Sequence, residues 1–346
     1  MVDDLIDDLK PLMFSIAYRM TGSVSDAEDI VQEAFIRAYR AEADGTALDS
    51  PRAYLATTTT RLAIDHLRSA RVRRESYVGT WLPEPLVADS EPGPAERAEM
   101  SDSLSMAFLV LLESLAPTER AVFLLREVFG YVYDEIAEAV GKSEANCRQI
   151  FARARKRIDE GKPRFDASRA QGAELVHRFL DATAGGDMDG FIELLAPDVV
   201  FYGDGGGKGE GVLNPVRGRE RVARFLRGVA RRVQHLSAAS RPAWVNGQPG
   251  LIAFDADGHL IGVVAFDVLD GTVQAIRSVV NPDKLRHLGD TSQAWHAGAA
   301  GGWDAADGGW DVADRPAGDL ASVHGHRLHR RDRGRRCRRQ LRRDTR

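Results

Sequence analysis

The sequence predicts a multidomain chain: two all-α modules, then an α+β domain with helices packed on one curved sheet, then a tail without a core. Three observations predict it. The 346 residues exceed one ordinary domain and suit two or three. The first half reads as helices, with apolar residues at helical spacing. From residue 173 the pattern changes to helices followed by strands, with turns at Asn246-Gly247, Asp257-Gly258 and Asp270-Gly271. The expected boundaries are 1–76 and 104–163 for the helical modules, 77–103 and 164–172 for linkers, 173–286 for the α+β domain and 287–346 for the tail.

In the first module, "SDAEDIVQEAFIRAYR" sets Ile30, Val31, Ala34, Phe35, Ala38 and Tyr39 on one stripe, and Ser25 with Glu28 forms a capping-box pattern. The other face presents Asp26, Asp29, Gln32 and Glu33, a solvated face or a docking face for a basic partner. The next helix starts at Ser50-Pro51 and has enough apolar surface to outweigh four consecutive threonines. It ends in Arg61, His66, Arg68, Arg71, Arg73 and Arg74, a track suited to phosphates or a solvated helix end.

The second module shows a short helix, a turn at Gly141, Ser143 as a cap, and a helix exposing Asn146, Arg148, Gln149, Arg153, Arg155 and Lys156. That order is the grammar of a helix-turn-helix, whose second helix donates to phosphates and base edges. Cys147 on this helix reads as a small packed filler or a redox-sensitive thiol.

Between the modules, "TWLPEPL" precedes an acidic Pro-rich run. Pro83 and Pro85 favour polyproline II geometry, so Trp81, Leu82 and Leu86 can dock elsewhere at low ordering cost. The docking surface is either the α+β domain or the first helical module.

Composition excludes several classes. The two cysteines, Cys147 and Cys337, build neither a disulfide framework nor a Cys-rich metal site. The amino terminus is acidic, unlike an export signal, and no run approaches a membrane helix, so a cytoplasmic protein without membrane partner is expected. The net charge of −4 argues against indiscriminate nucleic-acid binding but allows local basic patches.

The two helical segments resemble conserved modules of extracytoplasmic-function (ECF) sigma factors: "DAEDIVQEAFIRAYR" with "PRAYLATTTTRLAIDHLRSARVRRE" for sigma region 2, and "LAPTERAVFLLREVFGYVYDEIAEAVGKSEANCRQIFARARKRI" for region 4. The resemblance implies that Asp26, Asp29, Gln32 and Glu33 meet the clamp helices of core RNA polymerase. It implies that Arg61, Asp65, His66, Arg68, Arg71, Arg73 and Arg74 face the minus-ten element of promoter DNA. Lys142, Ser143, Asn146, Arg148, Gln149, Arg153 and Lys156 would face the minus-thirty-five element. Many members carry Asn where Arg61 stands, so minus-ten specificity does not transfer.

Residues 173–286 resemble the SnoaL-like branch of the NTF2-like fold, a cone whose mouth often holds a small molecule. Trp81, Leu82, Pro83, Glu84 and Pro85 ("WLPEP"), Asp204, Gly205, Gly206, Gly207 and Lys208 ("DGGGK"), and Asn281, Pro282, Asp283, Lys284 and Leu285 ("NPDKL") look like the three marks of the ECF subgroup with this extension. The extension would be an attached regulator, with no cofactor and no metal implied. The alternative is an NTF2-like enzyme or ligand sensor fused to a DNA-binding regulator that is not a polymerase subunit. Its candidate bases would be Asp204, Asp267, His177 and His259. The tail is rich in Gly, Ala and Asp and then in Arg, so disorder is expected there.

Overall fold

The computed structural model describes residues 2–45, 50–75, 77–88, 102–161, 169–185, 188–207, 212–235, 238–292, 303–304 and 309–310. Three helices form the first module: α1 (Val2–Thr21), α2 (Val24–Ala43) and α3 (Pro51–Glu75). Met13, Ile16, Phe35, Leu55 and Ile64 meet in its core. Ser50 caps α3 as expected, accepting from Ala53 N at 3.2 Å. The cap of α2 differs from the Ser25–Glu28 expectation. Ser23 is the N-cap, accepting from Asp26 N, and Glu84 of the linker takes the Val24 and Ser25 amides at 2.7 and 3.2 Å. A distant carboxylate thus does at this helix start what a local capping box would do.

The second module comprises α4 (Met106–Leu112), α5 (Pro117–Glu127), α6 (Tyr133–Val140) and α7 (Glu144–Gly161). Gly141 ends α6 in the left-handed region at φ 64°, and Ser143 then accepts from Asn146 N. Cys147, Ile150, Ala154 and Ile158 form the inner face of α7. Burial raises the Cys147 thiol above its usual pKa, which favours the packed filler over a reactive thiolate. One apolar cluster runs through both modules, joining Met13 and Leu55 to Leu109, Leu112 and Leu124.

The third part begins with α8 (Arg169–Gly185) and α9 (Asp189–Ile192) and continues through β2 (Leu195–Asp204), β3 (Val216–Arg217) and α10 (Arg219–His235). Then follow β4 (Ala239–Val245), β5 (Gln248–Phe254), β6 (Leu260–Leu269), β7 (Thr272–Val279) and α11 (Pro282–Leu285). Asn246-Gly247 and Asp270-Gly271 turn with both residues at positive φ, the geometry that tight hairpins require.

The sheet is mixed. With the short strand Val87–Ala88 as β1, its order is β1-β4-β5-β6-β7-β2-β3, with β2 parallel to β7. Its edge strand β1 (Val87–Ala88) comes from the first linker and pairs with Val245 and Trp244. One face packs on helices through Phe179, Phe191, Phe225 and Phe266. The other packs Val263, Ala265 and Val279 against linker Leu82 and α4 Met106. Both faces being covered explains why β6 reads as a nearly unbroken apolar run.

Order extends beyond the expected boundary at 286. Leu260 donates to Asp290 O at 2.8 Å and accepts from Ser292 N at 2.8 Å, because its buried backbone groups need partners. A small hairpin follows, β8 (Trp303–Asp304) with β9 (Gly309–Trp310). The expectation of tail disorder otherwise lies outside the described residues, as does Lys208. Among the described residues, no helix is long and apolar enough to cross a membrane.

Candidate promoter, polymerase and linker interfaces

Helix α2 places Asp29 and Gln32 on its exposed side, while Asp26 and Glu33 beside them are half-buried. Glu33 bonds Arg37 at 2.8 Å, and Asp26 lies 3.1 Å from His66 Nε2 on α3. Two residues expected on different interfaces therefore touch. The face remains acidic in sum, since the Glu33–Arg37 pair is solvent-facing and weakly held.

On α3, Arg61 does not point freely into solvent. Its guanidinium donates to Glu138 O at 2.6 Å and Ala139 O at 3.2 Å, the last carbonyls of α6. Such carbonyls have no intrahelical donor, and a cation there also meets the negative end of the helix dipole. Arg68 bonds Asp65 at 3.3 Å and reaches Thr118 of α5. Arg71, Arg73 and Arg74 lie on α3, their side chains outside the described residues. Deeper in the joint, buried Arg120 of α5 donates to Met20 O at 2.5 Å and to Glu113 at 2.7 Å.

The outer face of α7 presents Arg148, Gln149, Arg153 and Lys156 to solvent, with Asn146 half-buried and Lys142 and Ser143 in the preceding turn. Arg148 pairs with Glu144 at 2.6 Å and lies 4.9 Å from the Tyr133 ring centre. Among the described residues, Lys156 meets only a loose 3.9 Å approach to Glu160. This geometry fits an exposed helix that donates several hydrogen bonds along one side.

The three short motifs converge on one peptide. Asp204, fully buried at the end of β2, accepts from Leu82 N at 2.7 Å and from Lys284 Nζ at 2.7 Å. Lys284 in turn donates to Leu82 O. The Leu82 peptide is thus gripped at both polar groups by a buried ion pair, and its side chain is fully buried in the core beneath the sheet. Trp81, expected to dock along with Leu82 and Leu86, is only half-buried; its ring lies between Gly22 and the Lys284 ammonium, 4.5 Å from the ring centre.

Glycines make the convergence possible. A Cβ on Gly206 would sit 2.2 Å from Asn281 Nδ2, and one on Gly207 would sit 3.0 Å from Val78. Both glycines also have left-handed φ, 62° and 70°. Asn281 donates to Tyr77 OH at 2.9 Å, and Tyr77 donates to Asp204. Burial, and then the Asp204 charge, push the Tyr77 phenol far above its usual range.

The rest of the linker is held residue by residue. Glu84 N donates to Gly22 O at 2.9 Å, while Leu86 exchanges bonds with Asn246 at 2.8 and 3.0 Å. The Tyr18 hydroxyl donates to Glu84 O at 2.7 Å and accepts from Asn246 Nδ2 at 2.8 Å. His287 Nε2 lies 2.8 Å from Pro85 O. Sequence reasoning missed Tyr18, Tyr77 and Asn246: Asn246 was legible only as a turn residue, and nothing local marked either tyrosine.

The candidate bases of the enzymatic alternative are dispersed. Asp267 is fully buried but bonds Arg277 at 2.8 Å and Gln248 at 2.7 Å, and Gln248 also accepts from Met106 N. His177 and His259 are exposed. His177 borders a shallow hollow with Pro242, Trp244 and Pro249. Asp255, Asp257 and His259 lie close enough to share one ion. Burial raises the Asp255 pKa, but bonds from Ser292 and from the His259 and Asp257 amides outweigh it and lower the value, so this carboxylate already has donors.

Comparison with known proteins gives three family matches in order: sigma-70 region 2 over residues 5–73, sigma-70 region 4 over 105–158, and a SnoaL-like domain over 176–282. The ECF RNA polymerase sigma factor SigJ of Mycobacterium tuberculosis is 40% identical over 289 residues, covering 80% of this chain and 91% of that protein. A probable ECF sigma factor, SigI, from the same species is 34% identical over 278 residues, covering 80% and 92%. The crystal structure of SigJ matches with a TM-score of 0.65 at 36% identity, over 82% of this chain and 98% of that one. The non-polymerase alternative gains no support from these matches.

Proposed function

The chain belongs to the extracytoplasmic-function sigma factors that carry a SnoaL-like domain, and from that membership we propose how its parts divide the work. As a cytoplasmic sigma factor it binds core RNA polymerase and starts transcription at promoters. The face of Asp26, Asp29, Gln32 and Glu33 meets the polymerase clamp. Helix α3 from Arg61 onward reads the minus-ten element as a single strand, and α7 reads the minus-thirty-five element in the major groove. The SnoaL-like domain regulates these modules through the linker without catalysing a reaction.

The observation that carries the regulatory reading is the grip of Asp204 and Lys284 on the Leu82 peptide. Through it the SnoaL-like domain sets the position of the segment joining the two DNA-reading modules. The Arg61 contact supports a resting form, because a side chain assigned to the minus-ten strand is engaged with region 4. Opening this contact on polymerase would free Arg61 for DNA, a shift between two arrangements of packed domains.

The test is transcription in vitro with core polymerase. Asp29→Lys combined with Glu33→Lys abolishes core binding while helical content stays intact; unchanged affinity would remove the docking assignment. Trp81→Ala, Asp204→Ala and Lys284→Ala shift transcription in one common direction. Opposite directions would sink the single-interface reading.

A further inference from the structure

Helix α10 lies outside all these contacts and carries a dense arginine stripe that the regulatory reading does not use. Its inner face is seated on the sheet by Val222, Phe225 and Leu226, with the Phe225 ring 4.5 Å from Phe201. Its outer face exposes Arg221, Arg224, Arg227 and Arg231. At 100° per residue these four fall within a sector of about 120°. Arg227 is bonded to Asp189 at 2.6 Å, whereas Arg221, Arg224 and Arg231 have no acidic partner among the described residues. At the head of the stripe, Arg217, Arg219 and Arg221 line an open hollow of about 390 Å³, which Glu220 shares.

We propose that α10 is a further DNA-contacting surface, on which Arg221, Arg224 and Arg231 bind the phosphate backbone of promoter duplex without reading its sequence. The residue type supports phosphate: the helix carries Arg and no Lys, and the planar fork of Arg matches phosphate oxygens. The dimension fits too. Arg221 to Arg231 spans about 15 Å of helix axis, and one DNA strand offers a phosphate about every 3.4 Å of duplex axis, so about four lie within reach. A lipid surface fits less well, because the exposed side of α10 carries no Trp, Phe or Leu to insert. The seated helix presents its side chains without a folding cost on binding.

This inference rests on the sigma-factor reading, and the experiment separates the two. Full-length holoenzyme is titrated onto matched and scrambled promoter duplexes at several salt concentrations, using the wild type and the triple variant Arg221→Gln, Arg224→Gln, Arg231→Gln. Each lost phosphate contact removes about 0.9 from the slope of log affinity against log salt, so the triple variant loses about 2 to 3. The loss is equal on both duplexes, and core affinity is unchanged. The corresponding triple Arg→Lys variant restores the slope, because counterion release follows charge. An unchanged slope in the Gln variant overturns the proposal, and so does a loss confined to core affinity, which would make the stripe a protein contact. Wild-type holoenzyme that ignores the promoter altogether would overturn the sigma reading first.

Discussion

Arg61 reaches the helix-turn-helix from an exposed position and bonds carbonyl oxygens, whereas Asp204 and Lys284 grip the linker from inside the protein. The two contacts hold different segments, one exposed and one fully buried. An exposed cation on helix carbonyls exchanges protein bonds for water bonds at small net cost, so it opens readily. A buried ion pair that loses one member leaves a charge in low dielectric, so it stays shut or fails as a whole. The difference teaches where opening starts: the Arg61 bonds can open while the SnoaL-like domain keeps hold of the linker and the shared apolar cluster with the buried Arg120–Met20 bond still joins regions 2 and 4.

The largest expected effect comes from Asp204→Ala. It strands Lys284 and unties Leu82 and Tyr77, costing about 3 to 5 kcal/mol in unfolding measured with urea. Protease then cuts within residues 77–88 much faster. Pairing it with Lys284→Ala gives less than the sum of the two losses, and full additivity would show that the clamp is not one unit.

Two left-handed glycines sharpen the comparison next. Gly206→Ala meets Asn281 at close range and costs about 2 kcal/mol or more, while Gly141→Ala, with open space around it, costs only the backbone strain of about 1 kcal/mol. Equal thermal shifts for the two would mean that crowding at the clamp is relieved by easy movement.

Arg61→Ala follows, at about 1 kcal/mol. Amide exchange rises around Gly141 and Lys142, and linker proteolysis does not change. Faster linker cleavage in this variant would break the comparison by showing that the two contacts open together.

The smallest effect within ordinary conditions is that of pH. Tyr77 has a folded pKa above its unfolded value, so its stabilisation is complete below about pH 10 and declines as pH rises further. Alkaline titration therefore loosens the linker before it exposes the turn at Gly141, because the Arg61 contact contains no phenol. Simultaneous loosening, followed by amide exchange or proteolysis, would contradict this.

Much of the fold was legible in local patterns. The apolar stripe of α2, the Ser50 cap of α3 and the turns at Gly141, Asn246 and Asp270 are each set by neighbours a few residues away. The α2 cap was misread because its partner, Glu84, is about sixty residues distant, and no spacing rule reports such a pair. The arginines of α10 were visible as letters, but only the helix seated on its sheet separates outward from inward ones.

By itself, the sequence determined the order of the modules, the acidic and basic helix faces, and the three short motifs, because periodicity and turn chemistry act over a few residues. Tertiary structure alone decided that Leu82, and not Trp81, is the buried anchor, that Arg61 closes on α6, and that the linker supplies strand β1 to the SnoaL-like sheet. Those outcomes depend on which distant groups are brought together with water excluded, and burial converts an ordinary Asp and Lys into a clamp that neither motif specifies alone.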